Sequence, residues 1–170
     1  MKKMVFTLAL ALISVATMAQ NYIVVNSEKI FKSIPAYNSA IEALDKLAQS
    51  YQEQVDAKFE EVEKLYNAYM QRKATLSEAS QQANEENIIK KEQEVTEFQE
   101  SIFGTDGELM KKRLELIQPI QKQVFAAIEE YAKQKGYDMV IDIAQNATML
   151  YYSPKADHTE AIIALLKTKQ

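Results

Sequence analysis

The strongest constraint on the fold is a seven-residue spacing of apolar side chains in the middle of the chain. The positions are Ile41, Ala48, Val55, Val62, Tyr69 and Leu76. A repeat of this length is typical of a helix that packs one apolar stripe against a neighbouring helix. The stripe is broken where Lys58 and Arg72 occupy its companion positions. The sequence therefore predicts a long helix with an imperfect coiled-coil seam.

A second long helix is predicted after a polar interval. The spacing lapses over residues 77–87 and resumes at Ile88, Val95, Ile102, Leu109 and Leu116, then slips by one residue to Met110, Ile117, Val124 and Tyr131. At 1.5 Å per residue, arms of roughly 40 residues are about 60 Å long, too long for a compact globule of this size. We expect an antiparallel helical hairpin over residues 38–135 that turns near residues 80–84. A continuous coiled coil through the interval is the alternative.

Glycine and proline are scarce, with three of each in 170 residues. So few turn residues exclude a many-stranded sandwich or barrel. Gly104 and Gly107 nevertheless lie inside the second predicted helix, and they are candidates for a flexible hinge in the arm. The alternative is two tolerated helical glycines. If the glycines form a hinge, alanine at both positions is expected to raise thermal stability and stiffen the arm, whereas unchanged behaviour would contradict the hinge. Pro119 is expected to kink the same helix.

The two ends of the chain predict a small mixed body formed by residues 20–37 and 136–170. Runs rich in β-formers predict three strands, at Tyr22–Asn26, Tyr137–Ala144 and Thr148–Ser153. Ser27 is the expected N-cap of a short helix, and Asp157 with Glu160 predicts the start of a last helix. The fold class is α+β, mostly α. Because such a body buries little core alone, association between subunits is expected.

The first residues resemble an export signal. Lys2 and Lys3 precede an apolar run, and small residues at Thr17 and Ala19 fit a cleavage site after Ala19. The run is short for a mature membrane anchor, which is the alternative. The expected mature protein begins at Gln20 and is exported across an inner membrane.

Composition argues against an enzyme. The chain has no cysteine and a single histidine, His158, so no thiolate site, disulfide or catalytic triad is expected. Asp138 and Asp142 lie four residues apart in a predicted strand, roughly 13 Å, too far for a joint role. No metal site and no cofactor are predicted. The basic run Lys111–Arg113 is interpreted as a solvated helix face, with a local anion patch as the alternative.

Charge also excludes nucleic-acid binding. Without Lys2 and Lys3 the chain has 18 basic and 24 acidic residues, a net charge of −6. Residues 38–135 hold 13 basic and 19 acidic residues, so the excess lies in the arm, while the ends are neutral. No basic surface of the type that binds phosphate backbones is expected.

Both ends of the chain resemble the Skp/OmpH family of periplasmic chaperones. The resemblance rests on Ile23–Asn26 before a helix that carries Ile30 and Phe31, and on Gly136–Asp142 before a tyrosine-bearing strand and a terminal helix. It implies a jellyfish-like homotrimer with a β-rich trimerisation hub and helical arms around a cavity. That cavity would hold unfolded outer-membrane proteins in the periplasm without ATP. The positions that correspond to the hub core are Ile23, Val25, Val140 and Ile143.

The acidic arm departs from the familiar, strongly basic members of this family. It puts in doubt both the electrostatic capture of acidic clients and a lipopolysaccharide site; transient proximity to a membrane surface stays open. Aromatic side chains of the arm are the candidates for client contact, with packing between the helices as the alternative for each: Tyr51, Phe59, Tyr66, Tyr69, Phe98 and Phe103. Phe59 and Tyr66 lie off the seam, which favours client contact for them. A structural or adaptor coiled-coil protein of the envelope is the competing function.

Overall fold

The computed structural model describes residues 21–145 and 148–169, so the predicted export signal lies outside the described residues. The elements follow in the order β1 (Tyr22–Val25), α1 (Ser27–Lys32), α2 (Pro35–Arg72), α3 (Glu78–Phe103), α4 (Glu108–Lys135), β2 (Met139–Asp142) and α5 (Thr159–Lys167). The predicted α+β fold, mostly helical with a long hairpin, is confirmed. In these two ranges no helix combines the length and the apolar content that crossing a membrane requires.

The chain divides into two compact units. We call residues 35–121 the hairpin unit. The described residues up to 34, together with those from 122 onward, form the terminal unit. Each unit has buried apolar side chains of its own.

In the hairpin unit, α3 folds back along α2. Val62 and Tyr69 from α2 share one buried cluster with Ile88 and Val95 from α3, and Leu76 packs against it. All five belong to the seven-residue spacing of the sequence. The hairpin is therefore closed by the predicted seam.

The hairpin turns earlier than residues 80–84, where the sequence predicted it. A short 3₁₀ turn at Lys73–Thr75 follows α2, and Ser77 caps α3 by accepting a hydrogen bond from the backbone N–H of Ser80. Residues 78–87 are polar but helical, because Glu, Ala and Gln favour a helix even where no apolar stripe is buried. The apolar spacing lapses over residues 78–87 because this first part of α3 is largely exposed, and not because the chain turns there.

A second cluster holds α2 against α4 within the hairpin unit. Ala40, Leu44 and Ile117 are buried there, with four partly buried neighbours: Tyr37, Ile41, Leu109 and Ile120. The cluster brings the beginning of α2 to the first half of α4. Helix α4 runs through Pro119 as one continuous element.

The terminal unit contains a two-stranded parallel sheet. Ile23 of β1 lies opposite Val140 of β2, and Val25 lies opposite Asp142. Asp157 bridges Val24, whose carbonyl accepts a hydrogen bond from the His158 N–H at 2.9 Å. Helices α1 and α5 pack on each other, and the most deeply buried apolar side chains of the unit include Ile23, Val24, Val25, Ile30, Ile162 and Leu166.

The predicted third strand is wrong for the single chain. None of residues 148–153 lies in a strand, and Leu150 is 95% exposed. A strand needs a neighbour with free backbone groups. Within this chain β2 and the Asp157–His158 segment already pair with β1.

The helix ends correct two predictions. Asn26, and not Ser27, caps α1, since its side chain accepts from the N–H of Lys29. Helix α5 begins at Thr159, whose N–H donates to the Asp157 carboxylate at 2.9 Å in place of the predicted Asp157–Glu160 box. Gly136 follows the end of α4 with a φ of 72°, a left-handed conformation that suits glycine.

Candidate functional site

The predicted client-contact residues all lie in the hairpin unit, but their surroundings differ. Phe59, Tyr66 and Phe103 expose between a third and a half of their surface, whereas Tyr51 and Phe98 are partly buried. Tyr69 is only 3% exposed and belongs to the seam cluster. Tyr69 thus follows the packing alternative, while Phe59, Tyr66 and Phe103 present their rings to solvent.

A cation lies over one of the partly buried rings. The ammonium of Lys58, on α2, lies 4.8 Å from the ring centroid of Phe98, on α3. Such a contact between a cation and an aromatic face is attractive, and the lysine stem adds apolar cover. Lys58 interrupts the apolar seam in sequence, yet in the structure it closes the seam over Phe98.

Tyr69 anchors a polar network beside the turn. Its hydroxyl donates to a Glu85 carboxylate oxygen at 2.5 Å, and the same oxygen accepts from the Lys73 ammonium at 2.9 Å. These two hydrogen bonds lower the pKa of Glu85 below its ordinary value. Burial and the bond to Glu85 raise the pKa of Tyr69, and the bond to Glu85 raises that of Lys73. All three groups therefore keep their usual protonation states over a wide pH range.

An apolar groove runs beside this network. Tyr66 and Met70 of α2 and Ile89 of α3 stand along it, 49%, 48% and 53% exposed, above the buried Tyr69 and Ile88. Met70 and Ile89 are new to the site. Tyr66 and Met70 lie four residues apart, which places them on one helix face. This spacing, off the seven-residue seam, is the signal by which the sequence could have revealed Met70.

The two hinge candidates interrupt the helical hairpin. Helix α3 ends at Phe103 and α4 begins at Glu108, with Gly104 and Gly107 in the break. A Cβ atom on Gly104 would lie 2.4 Å from the carbonyl oxygen of Glu100, and one on Gly107 equally close to that of Ile102. On this backbone the side chain of alanine would collide with backbone at either position, so the geometry favours destabilisation, the opposite of the expectation from the sequence.

The predicted hub residues lie in the terminal unit. Ile23 and Val25 are almost fully buried, while Val140 and Ile143 are half-buried. Three large apolar side chains in β2 and in the segment that follows it are exposed. They are Met139 on β2, and Leu150 and Tyr151 after it. Large apolar groups left in water in this way are typical of surfaces that another protein covers.

His158 lies within a tyrosine pair of the terminal unit. Its Nδ1 is 2.8 Å from the hydroxyl of Tyr131, and its Nε2 is 3.4 Å from that of Tyr137. Both tyrosine rings also lie within 6 Å of the imidazole. The bonded histidine joins α4 to the start of α5, which is a packing role. Within the described ranges no three His, Asp or Glu side chains gather as metal ligands would.

Comparison with known proteins agrees with this architecture. In a crystal structure from Caulobacter crescentus CB15, a protein described as a candidate OmpH-like outer membrane chaperone superposes with a TM-score of 0.67. The two chains share 13% identity over 91% of this chain and 88% of that one, so the likeness concerns the fold. No curated protein matches the chain significantly. The family described as "Outer membrane protein (OmpH-like)" matches residues 21–166. The chain therefore belongs to the OmpH-like family.

Proposed function

We propose that this protein is a periplasmic holdase chaperone that binds unfolded outer-membrane proteins and keeps them from aggregating, without ATP. The family match over residues 21–166 carries the proposal. The structural neighbour, described as an OmpH-like outer membrane chaperone candidate, supports a chaperone role. The exported location rests on the family and on the signal-like residues 1–19.

The client surface is formed by exposed apolar side chains of the hairpin unit. A pair of packed helices cannot bury every face, and here Phe59, Tyr66, Met70, Ile89 and Phe103 remain in water. An unfolded segment that covers such side chains gains roughly 25 cal/mol for each Å² of apolar surface removed from water. Many small gains of this kind hold a client without fixing its conformation, which suits a holdase.

Gly104 and Gly107 give the arm a hinge in this proposal. A side chain at Gly104 would meet the backbone carbonyl of Glu100, and one at Gly107 would meet that of Ile102. Both glycines lie in the break between Phe103, where α3 ends, and Glu108, where α4 begins. A joint at this point lets the hairpin adapt to clients of different size. Hydrogen exchange tests it, with faster exchange expected at residues 104–107 than in the middle of α3. Equal protection at residues 104–107 and in the middle of α3 would contradict the hinge.

Trimerisation occurs through the terminal unit. Ile23, Val25, Val140 and Ile143 form the core of the hub, and exposed Met139, Leu150 and Tyr151 supply apolar cover between subunits. Residues 148–152, which are not in a strand here, pair with a neighbouring chain as an intermolecular strand. Three hairpins then surround one client.

Light scattering tests the proposal. An unfolded barrel protein is diluted from denaturant into buffer with and without the mature chain, and suppressed aggregation near three chains per client is expected. The Tyr66→Ser/Met70→Ser/Ile89→Ser variant should suppress aggregation less. The matched control replaces exposed polar residues of the same helices: Asn67→Ser/Gln71→Ser/Gln93→Ser.

Two outcomes count against the proposal. Failure to suppress aggregation, combined with stable binding to a folded envelope protein, would instead indicate an adaptor. Sedimentation as a monomer at micromolar concentration would remove the trimer and its cavity together.

A further inference from the structure

The groove beside the hairpin turn combines apolar side chains with uncompensated negative charge. Tyr66, Met70 and Ile89 line it, and three charged residues, Lys73, Glu85 and Glu92, stand along it. Lys73 and Glu85 form an ion pair at 2.9 Å. The single cation of the groove is thus held by a carboxylate and lies over the Tyr69 ring as well, 5.2 Å from its centroid.

Glu92 is left as the free charge of the groove. Within the described residues its carboxylate forms no ion pair shorter than 4.0 Å. Glu86 lies three residues before Ile89 and Glu92 three residues after it, so both flank Ile89 along one face of α3. An apolar side chain placed on Ile89 would therefore have acidic groups on both sides.

The helix that carries Ile89 is the most acidic part of the hairpin. Helix α3 contains seven acidic residues and two basic ones, Lys90 and Lys91, for a net charge of −5. Lys91 is itself paired with Glu94 at 2.6 Å. Helix α4, by contrast, contains six basic and four acidic residues. The negative charge is thus concentrated on the helix that forms one wall of the groove.

We propose that this groove selects client segments in which an aromatic or aliphatic residue lies next to a lysine or arginine. The inference rests on the proposed holdase function and specifies its client chemistry. An apolar side chain of the client packs on Tyr66, Met70 and Ile89, while its basic neighbour lies near Glu86 and Glu92. Complementary charge speeds encounter and excludes acidic segments, and both effects weaken as salt rises.

Three labelled peptides with the same aromatic and aliphatic residues test the inference, with lysine, glutamate or serine next to each apolar residue. Fluorescence anisotropy with the full mature chain should show the lysine peptide binding several-fold more tightly than the serine peptide. The glutamate peptide should bind most weakly. Added salt should bring the three affinities together.

Variants that replace a carboxylate by an amide test whether the preference for the lysine peptide arises at the groove. Glu86→Gln/Glu92→Gln should reduce the ratio of lysine-peptide affinity to serine-peptide affinity several-fold. The matched control, Glu53→Gln/Asp56→Asn, removes two negative charges from α2 away from the groove and should keep most of the preference. Ile89→Ser replaces an exposed side chain and should weaken the binding of all three peptides.

The results separate this inference from the holdase function. Equal affinities, or tighter binding of the glutamate peptide, overturn the charge selection even if the chain suppresses aggregation. If the control variant loses the preference for lysine as strongly as Glu86→Gln/Glu92→Gln does, the preference arises from the overall charge of the protein. That result would overturn the assignment of the preference to the groove. If no peptide binds and aggregation is not suppressed, both proposals fail.

Discussion

The hydroxyl of Tyr69 donates a 2.5 Å hydrogen bond to a carboxylate oxygen of Glu85, sixteen residues further along the chain. This bond joins α2 to α3 just before the hairpin turns. The tyrosine ring is buried in the seam, while its hydroxyl reaches the polar rim where Lys73 completes the network. One side chain therefore serves the core and the turn together.

Glu85→Gln is expected to lower the thermal midpoint of the hairpin at neutral pH, since it removes the charge that both Tyr69 and Lys73 bind. The folded-state pKa of Glu85 lies below its ordinary 4.5. Its contribution is thus fully present above about pH 4.5 and is lost as the pH falls through the folded value. Circular dichroism melts between pH 7 and pH 3 measure the thermal midpoints of wild type and variant. The difference between the two midpoints should shrink as the pH falls.

Glu86→Gln is the matched control for this variant, because the neighbouring carboxylate accepts only from Gln82 among the hydrogen bonds of the described residues. It should melt close to wild type at every pH. A pH-independent deficit in Glu85→Gln would contradict the charged network.

Alanine at Gly104 or at Gly107 is expected to destabilise the protein by roughly 1 to 3 kcal/mol, because the added Cβ overlaps backbone and forces it to shift. Helix propensity alone predicts the opposite sign. Urea denaturation measures the change, with Thr105→Ala as an exposed control between the two glycines. Higher stability in either glycine variant would show that the break can refold as helix.

Asp142→Asn is expected to destabilise the terminal unit at neutral pH. The carboxylate accepts from the Ser27 hydroxyl and from the backbone N–H groups of Ser27 and Ala144. Burial alone would raise the pKa of Asp142, but these hydrogen bonds outweigh it and lower the pKa. The stabilisation should be complete above about pH 3.8 and disappear as the pH falls through the lower folded value.

The same chain offers a control in Asp138→Asn, an exposed aspartate one residue before β2. Its stability should follow wild type across the pH range in chemical denaturation. Equal losses in the two variants would show that general charge, and not the contacts of Asp142, sets the stability.

Ile30→Ala is expected to cost about 2 to 5 kcal/mol, because Ile30 is fully buried and its loss leaves a cavity. Leu150→Ala, at a side chain almost fully in water, should leave the unfolding of a single chain unchanged but weaken self-association. Denaturation and sedimentation together distinguish the two effects. Strong unfolding in Leu150→Ala under dissociating conditions would place that residue in the core of the single chain.

The seam was predictable because its signal is local and periodic. Val62, Tyr69, Ile88 and Val95 could be assigned to one stripe from spacing alone. The sequence was less informative about the exposed side chains that form the groove, since Met70 and Ile89 lie outside that spacing. Their place depends on the register in which α2 meets α3, and that register follows from the turn at residues 73–77.

The sequence by itself determined the helices, the acidic middle of the chain and the β-rich segments at its two ends, because helical periodicity, charge and β-propensity are properties of neighbouring residues. Only the tertiary structure decided where the hairpin turns and that Lys58 covers Phe98. It also decided that a Cβ added at Gly104 or Gly107 would meet backbone, and that none of residues 148–153 lies in a strand of the single chain. Each of these depends on which groups far apart in sequence come into contact, and contact at that distance is set by packing and by the hydrogen bonds that remain available.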